Sequence, residues 1–395
     1  MRAAFYGVKG TGHVTPTLPL VRGLVAAGHE VFYTLTMEWR DRLTALGAAF
    51  LNTGEGESPF TTANYHGGPF PLQLVPAAEA VLPRLLEDAR RIAPDVIVYD
   101  SFAPWGRAVA DRLGVPAVCS VTTLVFSDDE MTPMLAGASS DAANVAASQA
   151  LRDRHGVDVR PEDAGRFFAP DNLVYSVRSL SPGVASYGQR FHFVGPLGAT
   201  PPSDAESARS VAELVRPGRR RIYVSMGTVL GDMMRLGPDF FRPFLDAFGG
   251  DPELDLIVSI GRGLSPDAFG PVADNVFLRS WVPQAALLEH VDVFVTHAGA
   301  NSLHEALFHD VPVVCIPGFA DQPLNAARAA ELGAGVSLAM SGLGATEVRS
   351  AVTRVLGDPA FRTSAARIGA ELRAAGGLGQ ALDVLARVAS RGVTA

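Results

Sequence analysis

Short apolar runs of strand length alternate with amphipathic stretches along the whole chain. In the first half these runs predict strands at 2–7, 30–34, 95–99, 117–121, 173–176 and 192–194. In the second half they predict strands at 221–225, 254–260, 276–279, 293–296, 311–316 and 336–339. Short β-branched runs with helices between them are typical of buried parallel strands in βαβ units. Two such sets predict an α/β protein with two doubly wound, Rossmann-like domains.

The stretch between the two sets, 195–204, is rich in Pro, Gly and small polar residues, as linkers are. We therefore expect a first domain over 1–200, a linker over 201–218 and a second domain over 219–375. The last segment, 376–395, has an amphipathic pattern that predicts a closing helix.

Composition narrows the class of partner and the cellular location. The chain has 395 residues, a net charge of -8 and no stretch that clusters Lys and Arg, which argues against a nucleic-acid partner. It shows neither a signal-peptide pattern nor an apolar run of about 20 residues, so a cytoplasmic location without a membrane span is expected. The two cysteines, Cys119 and Cys315, lie in apolar runs and are predicted to be buried free thiols rather than a disulfide.

The clearest chemical signal lies where the predicted strand 293–296 runs into a helix through His297, Gly299 and Asn301. A helix N-terminus binds phosphate through its N–H groups, and glycine lets an anion approach closely. His297 can donate a hydrogen bond to a diphosphate oxygen. Glu305, one turn beyond Asn301, can accept hydrogen bonds from ribose hydroxyls. Taken singly, these residues also fit a structural histidine and an ordinary helix cap.

A second signal follows the first predicted strand, where a glycine-rich turn carries His13. The turn lacks the spacing of a Rossmann fingerprint or a P-loop. A histidine there can act as a general base near neutral pH, or it can be a cap or packing residue. Asp100, at the end of another predicted strand, can hold the second nitrogen of the ring, or it can cap the helix that follows.

These motifs together resemble the signature of glycosyltransferase family 1, the UDP-glycosyltransferase superfamily of GT-B fold. The stretch from Trp281 to Asn325 is most similar to the bacterial natural-product branch, which includes macrolide and enediyne enzymes. The resemblance covers nearly the whole chain, because the His13 turn lies at the expected distance. It implies two domains that face each other across a cleft, the first binding the acceptor and the second the nucleotide sugar, with the C-terminal helix packing back across them.

The resemblance also implies roles for individual residues. Trp281 would stack on the nucleobase, Gln284 would contact the ribose, and Asp321 with Gln322 would hold sugar hydroxyls. The full donor-binding set that it implies is Ser225, Gly227, Thr228, Trp281, Val282, Gln284, His297, Gly299, Asn301, Ser302, Glu305, Asp321 and Gln322. His13 and Asp100 would form the catalytic dyad.

The expected reaction is a single in-line displacement with inversion, without a metal or other cofactor. The acidic run Asp128-Asp129-Glu130 is interpreted as a solvated loop, because it lacks further ligands at metal-binding spacing. Two long excursions between predicted elements suggest an apolar pocket for a hydrophobic small-molecule acceptor. Its expected lining is Phe60, Tyr65, Phe70, Phe126, Met131 and Met134.

The sequence is compatible with more than one donor, acceptor and oligomeric state. The donor can be a UDP- or dTDP-sugar, the acceptor can be a polyketide, macrolide or enediyne aglycone, and the protein can be a monomer or a homodimer. Two alternative functions share the fold: a membrane-associated transferase of cell-wall or glycolipid synthesis, and a catalytically inactive helper subunit. The presence of both His13 and Asp100 argues against the helper.

Overall fold

The structure is a computed structural model that describes residues 1–53, 74–133, 135, 137–188, 190–197, 205–227 and 236–392. The chain forms two compact units. The first comprises Met1–Gly198 together with Ala375–Ala395, and the second comprises Ala199–Ala374. The chain therefore leaves the first unit once and returns to it for its last helix.

The first unit is built on a parallel sheet of seven strands in the order β3-β2-β1-β4-β5-β6-β7. The strands are β1 Arg2–Tyr6, β2 Glu30–Leu35, β3 Ala49–Asn52, β4 Val96–Asp100, β5 Ala117–Val121, β6 Asp171–Val174 and β7 Phe191–Phe193. Every residue of the central strand β4 is buried, as expected for a parallel sheet with helices on both faces.

The second unit repeats the design with six parallel strands in the order β10-β9-β8-β11-β12-β13. The strands are β8 Arg220–Ser225, β9 Leu254–Ser259, β10 Val276–Arg279, β11 Val293–Thr296, β12 Val313–Cys315 and β13 Gly335–Ser337. In both sheets the chain builds outward from the first strand in one direction and then resumes on its other side. The reversal lies between β1 and β4 in the first unit and between β8 and β11 in the second.

Helices connect the strands. In the first unit they are Thr11–Val14, Leu18–Ala26, Arg40–Ala45, Leu74–Ile92, Pro104–Leu113, Asp128–Met131, Ala142–His155 and Gly377–Arg391. In the second unit they are Ala205–Ala212, Pro238–Phe248, Gln284–Leu288, Ala300–Phe308, Gln322–Glu331, Ala345–Gly357 and Pro359–Ala374. Short 3₁₀ turns occur at Thr15–Thr17, Met37–Trp39, Ala138–Ser140, Pro161–Asp163, Arg178–Leu180, Pro182–Tyr187 and Pro266–Phe269. Within the described ranges, no helix has the length and apolar character needed to cross a bilayer.

Most of the strand pattern agrees with the sequence prediction, since each range predicted as a strand overlaps a strand of the structure. The edge strand β3 was missed because its residues are only partly buried or exposed and show no clear alternation. Helix Ala205–Ala212 lies within the stretch that was interpreted as a linker. Cys119 and Cys315 are buried free thiols, as predicted.

The acidic run differs from its prediction as a loop. Asp128–Met131 is a helical turn. Ser127 caps it, since its hydroxyl accepts from the Glu130 N–H while the Glu130 carboxylate accepts from the Ser127 N–H. This reciprocal capping box satisfies two N–H groups of the helix start.

The closing helix Gly377–Arg391 packs on the first unit. Its buried face contributes Ala381, Val384 and Leu385 to the core that also holds Leu20 and Leu24 of helix Leu18–Ala26. A polar contact fastens the same helix to the sheet, because the Asp171 carboxylate pairs with Arg387, Arg391 and His192. The C-terminal segment therefore completes the interior of the first unit.

We expect Leu385→Ala to destabilise the first unit by about 2–5 kcal/mol, because Leu385 is fully buried and its truncation leaves a cavity. Denaturant unfolding followed by tryptophan emission measures this loss. Trp39 and Trp105 are buried in the first unit, whereas Trp281 of the second unit is 56% exposed, so the emission change on unfolding mainly reports the first unit.

The matched control is Asp383→Ala, an exposed position on the same helix, which should change the stability by less than about 0.5 kcal/mol. An unfolding midpoint of Leu385→Ala that coincides with that of the control would contradict the placement of this helix in the core.

Candidate functional site

The first cluster of polar side chains lies at the carboxyl ends of three neighbouring strands. β1 pairs with β4, and β4 pairs with β5. The turn after β1 carries His13, β4 ends in Asp100, and Thr122 follows β5 directly. In doubly wound sheets, ligands bind at the carboxyl edge where the strand order reverses, and β1 and β4 flank that point.

Three side chains meet there through short polar contacts. His13 Nδ1 lies 2.9 Å from Asp100 Oδ2 and 3.0 Å from Thr122 Oγ1. The Thr122 hydroxyl donates its hydrogen to Asp100 Oδ2 at 3.2 Å. The structure thus brings the predicted dyad together and adds a threonine that the sequence analysis did not select.

The carboxylate of this cluster is fixed on both oxygens. Asp100 is 4% exposed, and its Oδ1 accepts a hydrogen bond from the Phe102 N–H at 2.8 Å. A buried carboxylate requires such partners, because an unpaired one would lose its hydration without compensation. The paired carboxylate holds Nδ1 of His13, and this arrangement assigns the chemistry of the ring to Nε2.

Local backbone geometry places the histidine ring. His13 lies in the short helix Thr11–Val14, which begins after an extended Gly10. A Cβ on Gly10 would lie 3.3 Å from His13 Cδ2, so a side chain there would press on the ring. The Phe102 ring meets the imidazole edge-on at 5.3 Å between centroids. His13 stays partly accessible, with a side chain 19% exposed.

The second cluster lies at the equivalent edge of the other sheet. Here His297, which follows β11, lies between Gly227 and Gly299. A Cβ on Gly227 would lie 2.5 Å from His297 Cε1, and one on Gly299 would lie 2.4 Å from His297 Nε2. Both positions therefore require glycine for the ring to occupy this place. Ser225 supports the turn, because its hydroxyl accepts from the Gly227 N–H at 3.4 Å.

Burial determines the charge of this histidine. Desolvation lowers the pKa of His297 to about 4, so the ring is neutral at pH 7. Its neighbour in the following helix, His304, also has its pKa lowered to about 4 by burial. His297 can donate one hydrogen bond to a bound anion, but it contributes no positive charge.

Helix Ala300–Phe308 begins directly after this turn. Its N-cap residue, Gly299, makes no side-chain capping bond. Because this helix follows β11, its first turn, which includes Asn301 and Ser302, lies at the carboxyl edge of the sheet. Gly299 provides no side-chain cap for the N–H groups of that turn. Such a helix start favours an anion through its N–H groups and its partial positive charge.

Gln284 of the short helix Gln284–Leu288 forms a hydrogen-bonded pair with Glu305 of helix Ala300–Phe308. Gln284 Nε2 donates to Glu305 Oε2 at 2.7 Å and to Ser302 Oγ at 3.2 Å. Its Oε1 accepts from the Tyr223 hydroxyl at 3.3 Å. Burial raises the pKa of Glu305 to about 7, although the bond from Gln284 lowers it. The structure thus brings together two of the residues predicted to contact the ribose.

Trp281 and Val282, which precede Gln284 in the chain, differ in exposure. Trp281 is 56% exposed, far from the buried state of a core tryptophan, and its surface is available for stacking. The Val282 side chain is buried at 4% exposure, so donor contacts from this residue would have to come from its backbone.

The predicted sugar-binding pair lies at the start of helix Gln322–Glu331, where Asp321 is the N-cap residue. Gln322 Oε1 accepts hydrogen bonds from the N–H groups of Gly318 at 2.9 Å and Phe319 at 3.3 Å. The amide oxygen thus holds the preceding loop, and the amide nitrogen is the group that Gln322 can offer to a sugar oxygen. Asn325 of the same helix bonds Asp321 Oδ2 at 2.8 Å, and sequence analysis assigned it no role.

The predicted acceptor pocket is described only in part. Phe126 and Met131 are both buried in the first unit, with 4% and 5% exposure. The other expected acceptor residues, and one donor residue, lie outside the described part of the chain: Phe60, Tyr65, Phe70, Met134 and Thr228. Among the residues that are described, no group of three or more His, Cys, Asp and Glu is placed to hold a metal ion.

Known proteins resemble this chain in sequence over nearly its whole length. Residues 246–377 match the family model described as erythromycin biosynthesis protein CIII-like, C-terminal domain. The chain is 27% identical to the NDP-glycosyltransferase YjiC of Bacillus licheniformis, with 96% of each chain covered. It is 29% identical to the oleandomycin glycosyltransferase of Streptomyces antibioticus, over 97% of this chain and 89% of that protein.

Solved structures agree with the sequence relatives. The glycotransferase of kitacinnamycin superposes with a TM-score of 0.83 at 29% identity, over 98% of each chain. The calicheamicin glycosyltransferase CalG4 superposes with a TM-score of 0.82 at 27% identity, over 99% of this chain and 98% of that one. The fold and the two clusters agree with this similarity. Each unit has a parallel, Rossmann-like sheet; one sheet carries the pair of His13 and Asp100, and the other carries His297 between two glycines. The chain is a glycosyltransferase of GT-B fold, and over nearly its whole length it is similar to bacterial natural-product glycosyltransferases.

Proposed function

We propose that this glycosyltransferase moves a sugar, with inversion, from a UDP- or dTDP-sugar to a hydroxyl group of a hydrophobic natural product. A polyketide, macrolide or enediyne aglycone is the proposed class of acceptor, in keeping with the antibiotic names of its relatives. The observation that carries the proposal is the contact of His13 Nδ1 with Asp100 Oδ2, because sugar transfer to a hydroxyl requires a base.

The proposed chemical step is one displacement. The acceptor oxygen attacks the anomeric carbon while its proton passes to Nε2 of His13, and the bond from that carbon to the diphosphate oxygen breaks. The buried carboxylate of Asp100 stabilises the imidazolium that forms and keeps the ring in the required tautomer. One base and no covalent intermediate imply inversion at the anomeric carbon.

The leaving diphosphate takes the electron pair of the broken bond. We assign its binding to the start of helix Ala300–Phe308, whose N-cap glycine provides no side-chain cap, and to the neutral ring of His297. Preorganised N–H donors aimed at developing charge are commonly the largest catalytic contribution. On this basis the transfer is proposed to proceed without a metal ion.

Nucleoside recognition is assigned to the exposed Trp281 and to the pair formed by Gln284 and Glu305. The tryptophan face would stack on the base. The Glu305 carboxylate would accept hydrogen bonds from ribose hydroxyls, with Gln284 holding it in place at 2.7 Å. Asp321 and the amide nitrogen of Gln322 would contact hydroxyls of the sugar.

We expect His13→Ala to lower sugar transfer by about 10²–10⁴-fold, because the acceptor hydroxyl loses its base. Nucleotide binding should persist, since the residues assigned to it belong to the second unit. Product formation by chromatography and nucleotide affinity by calorimetry measure the two effects.

His29→Ala is the matched control, because His29 precedes β2 at the amino edge of the same sheet. It should transfer sugar at the wild-type rate. Undiminished turnover by the His13 variant would remove the proposed base and with it the mechanism.

Thr122→Val should lower kcat/KM by about tenfold, because it removes a hydroxyl that donates to the charged Asp100 at 3.2 Å. Valine keeps the shape of the side chain, so the loss reports the hydroxyl. Thr122→Ser restores a hydroxyl at the same position and should recover most of the activity. Equal losses in the two variants would indicate that packing, rather than the hydrogen bond, matters here.

Donor affinity should depend on pH through Glu305. The pKa of this carboxyl is raised to about 7, and only its ionised form accepts hydrogen bonds from both ribose hydroxyls. Lowering the pH therefore protonates Glu305 and weakens binding, by about tenfold between pH 8 and pH 6. Calorimetric titration with a nucleotide sugar, without acceptor, measures this change.

The control for this titration is Glu305→Gln, which cannot ionise but keeps the size of the side chain. Its donor affinity should be nearly constant over the same pH range. A pH dependence as steep as that of the wild type would show that another group is responsible.

A further inference from the structure

Asn325 contacts both parts of the proposed donor site. It is fully buried in helix Gln322–Glu331. Its Nδ2 donates to the carbonyl oxygen of Ala298 at 2.9 Å and to Asp321 Oδ2 at 2.8 Å. One amide group therefore joins the turn that carries His297 to the carboxylate assigned to the donor sugar.

The turn that Asn325 holds has an unfavourable backbone conformation. Ala298 has a φ of 62°, in the left-handed region that residues with a side chain rarely adopt. Its N–H bonds the Thr296 hydroxyl at 3.3 Å, and its carbonyl bonds Asn325. These bonds help to keep Gly299 and the start of the next helix in place, where the diphosphate is proposed to bind.

The chemistry of the amide matches its two partners. A carbonyl oxygen and a carboxylate oxygen both accept hydrogen bonds, and an amide nitrogen offers two hydrogens. An aspartate in this place could not donate to either partner and would add a second negative charge beside Asp321. The assignment of nitrogen and oxygen in the Asn325 amide follows from these acceptors.

The amide oxygen of Asn325 makes no contribution comparable to that of its nitrogen within the described residues. Its Oδ1 is buried without a hydrogen-bond partner within the described part of the structure. Leaving a buried acceptor unsatisfied costs free energy that an apolar side chain of similar size would avoid. The two donated hydrogen bonds are thus the property of the amide that distinguishes it from such a side chain.

We propose that Asn325 is a positioning residue that sets the orientation of Asp321 toward the donor sugar and ties it to the diphosphate-binding turn. This inference rests on the proposed function of Asp321. Recognition of one sugar hydroxyl then depends on Asn325, although this buried side chain need not touch the sugar. Loss of the amide should weaken the selectivity for that hydroxyl as well as the overall rate.

The test compares UDP-glucose or dTDP-glucose, whichever the enzyme uses, with analogues that lack one hydroxyl at C2, C3, C4 or C6. The analogue whose penalty disappears in Asp321→Ala identifies the hydroxyl that Asp321 holds. In Asn325→Leu, kcat/KM for the complete donor should fall about tenfold or more, and for that analogue clearly less. The ratio between the two donors should therefore decrease toward that of Asp321→Ala.

Further measurements separate positioning from general damage. Asn325→Leu in the Asp321→Ala background should cause no additional loss of discrimination, and the penalties for the other analogues should stay as in the wild type. Thermal unfolding and nucleoside diphosphate binding verify that each variant is folded. Asn325→Ser, which is smaller and keeps one donor, should retain part of the discrimination and replaces the leucine variant if that variant does not fold.

Two results would overturn the inference. One leaves the proposed role of Asp321 intact, and the other removes that role as well. If Asn325→Leu lowers kcat/KM equally for all donors while Asp321→Ala abolishes one penalty, Asp321 keeps its role and Asn325 is only structural. If Asp321→Ala leaves every penalty unchanged, the assignment of Asp321 to the sugar fails, and the role of Asn325 fails with it.

Discussion

The hydrogen bond between His13 Nδ1 and Asp100 Oδ2, 2.9 Å long, depends on the parallel pairing of β1 with β4. Parallel pairing brings the carboxyl ends of both strands to one edge of the sheet, although the two residues are 87 positions apart in sequence. The parallel pairing of β4 with β5 likewise delivers Thr122 to the carboxylate. Burial of the carboxylate makes this bond structurally necessary as well as chemically useful, because an unpaired buried charge is costly.

The second sheet carries the proposed nucleotide site at its carboxyl edge. Close approach of Gly227 and Gly299 to the His297 ring leaves no space for a Cβ at either glycine. Burial lowers the pKa of His297 to about 4 and raises that of Glu305 to about 7, so side-chain charge is reduced on both sides of the proposed nucleotide site. In the proposed mode of binding, the diphosphate is held mainly by backbone N–H groups, which supply partial positive charge without a titrating side chain.

The sequence was sufficient to predict the two sheets and to select most of the polar residues that the structure gathers at their carboxyl edges, because apolar runs and glycine-rich turns are local patterns. It was insufficient for β3, whose residues are poorly buried. Thr122 and Asn325 gave no local signal either. A threonine after a strand resembles any turn residue, and an asparagine within a helix resembles any polar position. Their importance arises from contacts across 109 residues to His13 and 27 residues to Ala298, which only the folded chain displays.

Reliance on backbone donors, as proposed here, makes the geometry of the turn at Ala298 decisive. A side-chain charge attracts a phosphate over some distance and tolerates small displacements, whereas an N–H group must point at its acceptor within a narrow range of angles. The left-handed turn at Ala298 sets those angles and is itself unfavourable. Fixed donors such as the Asn325 amide are the means by which the surrounding helix holds that turn. In the proposed mechanism, precision of the backbone thus takes the place of side-chain charge, and the buried Asn325 amide bears on sugar transfer through the turn that it holds.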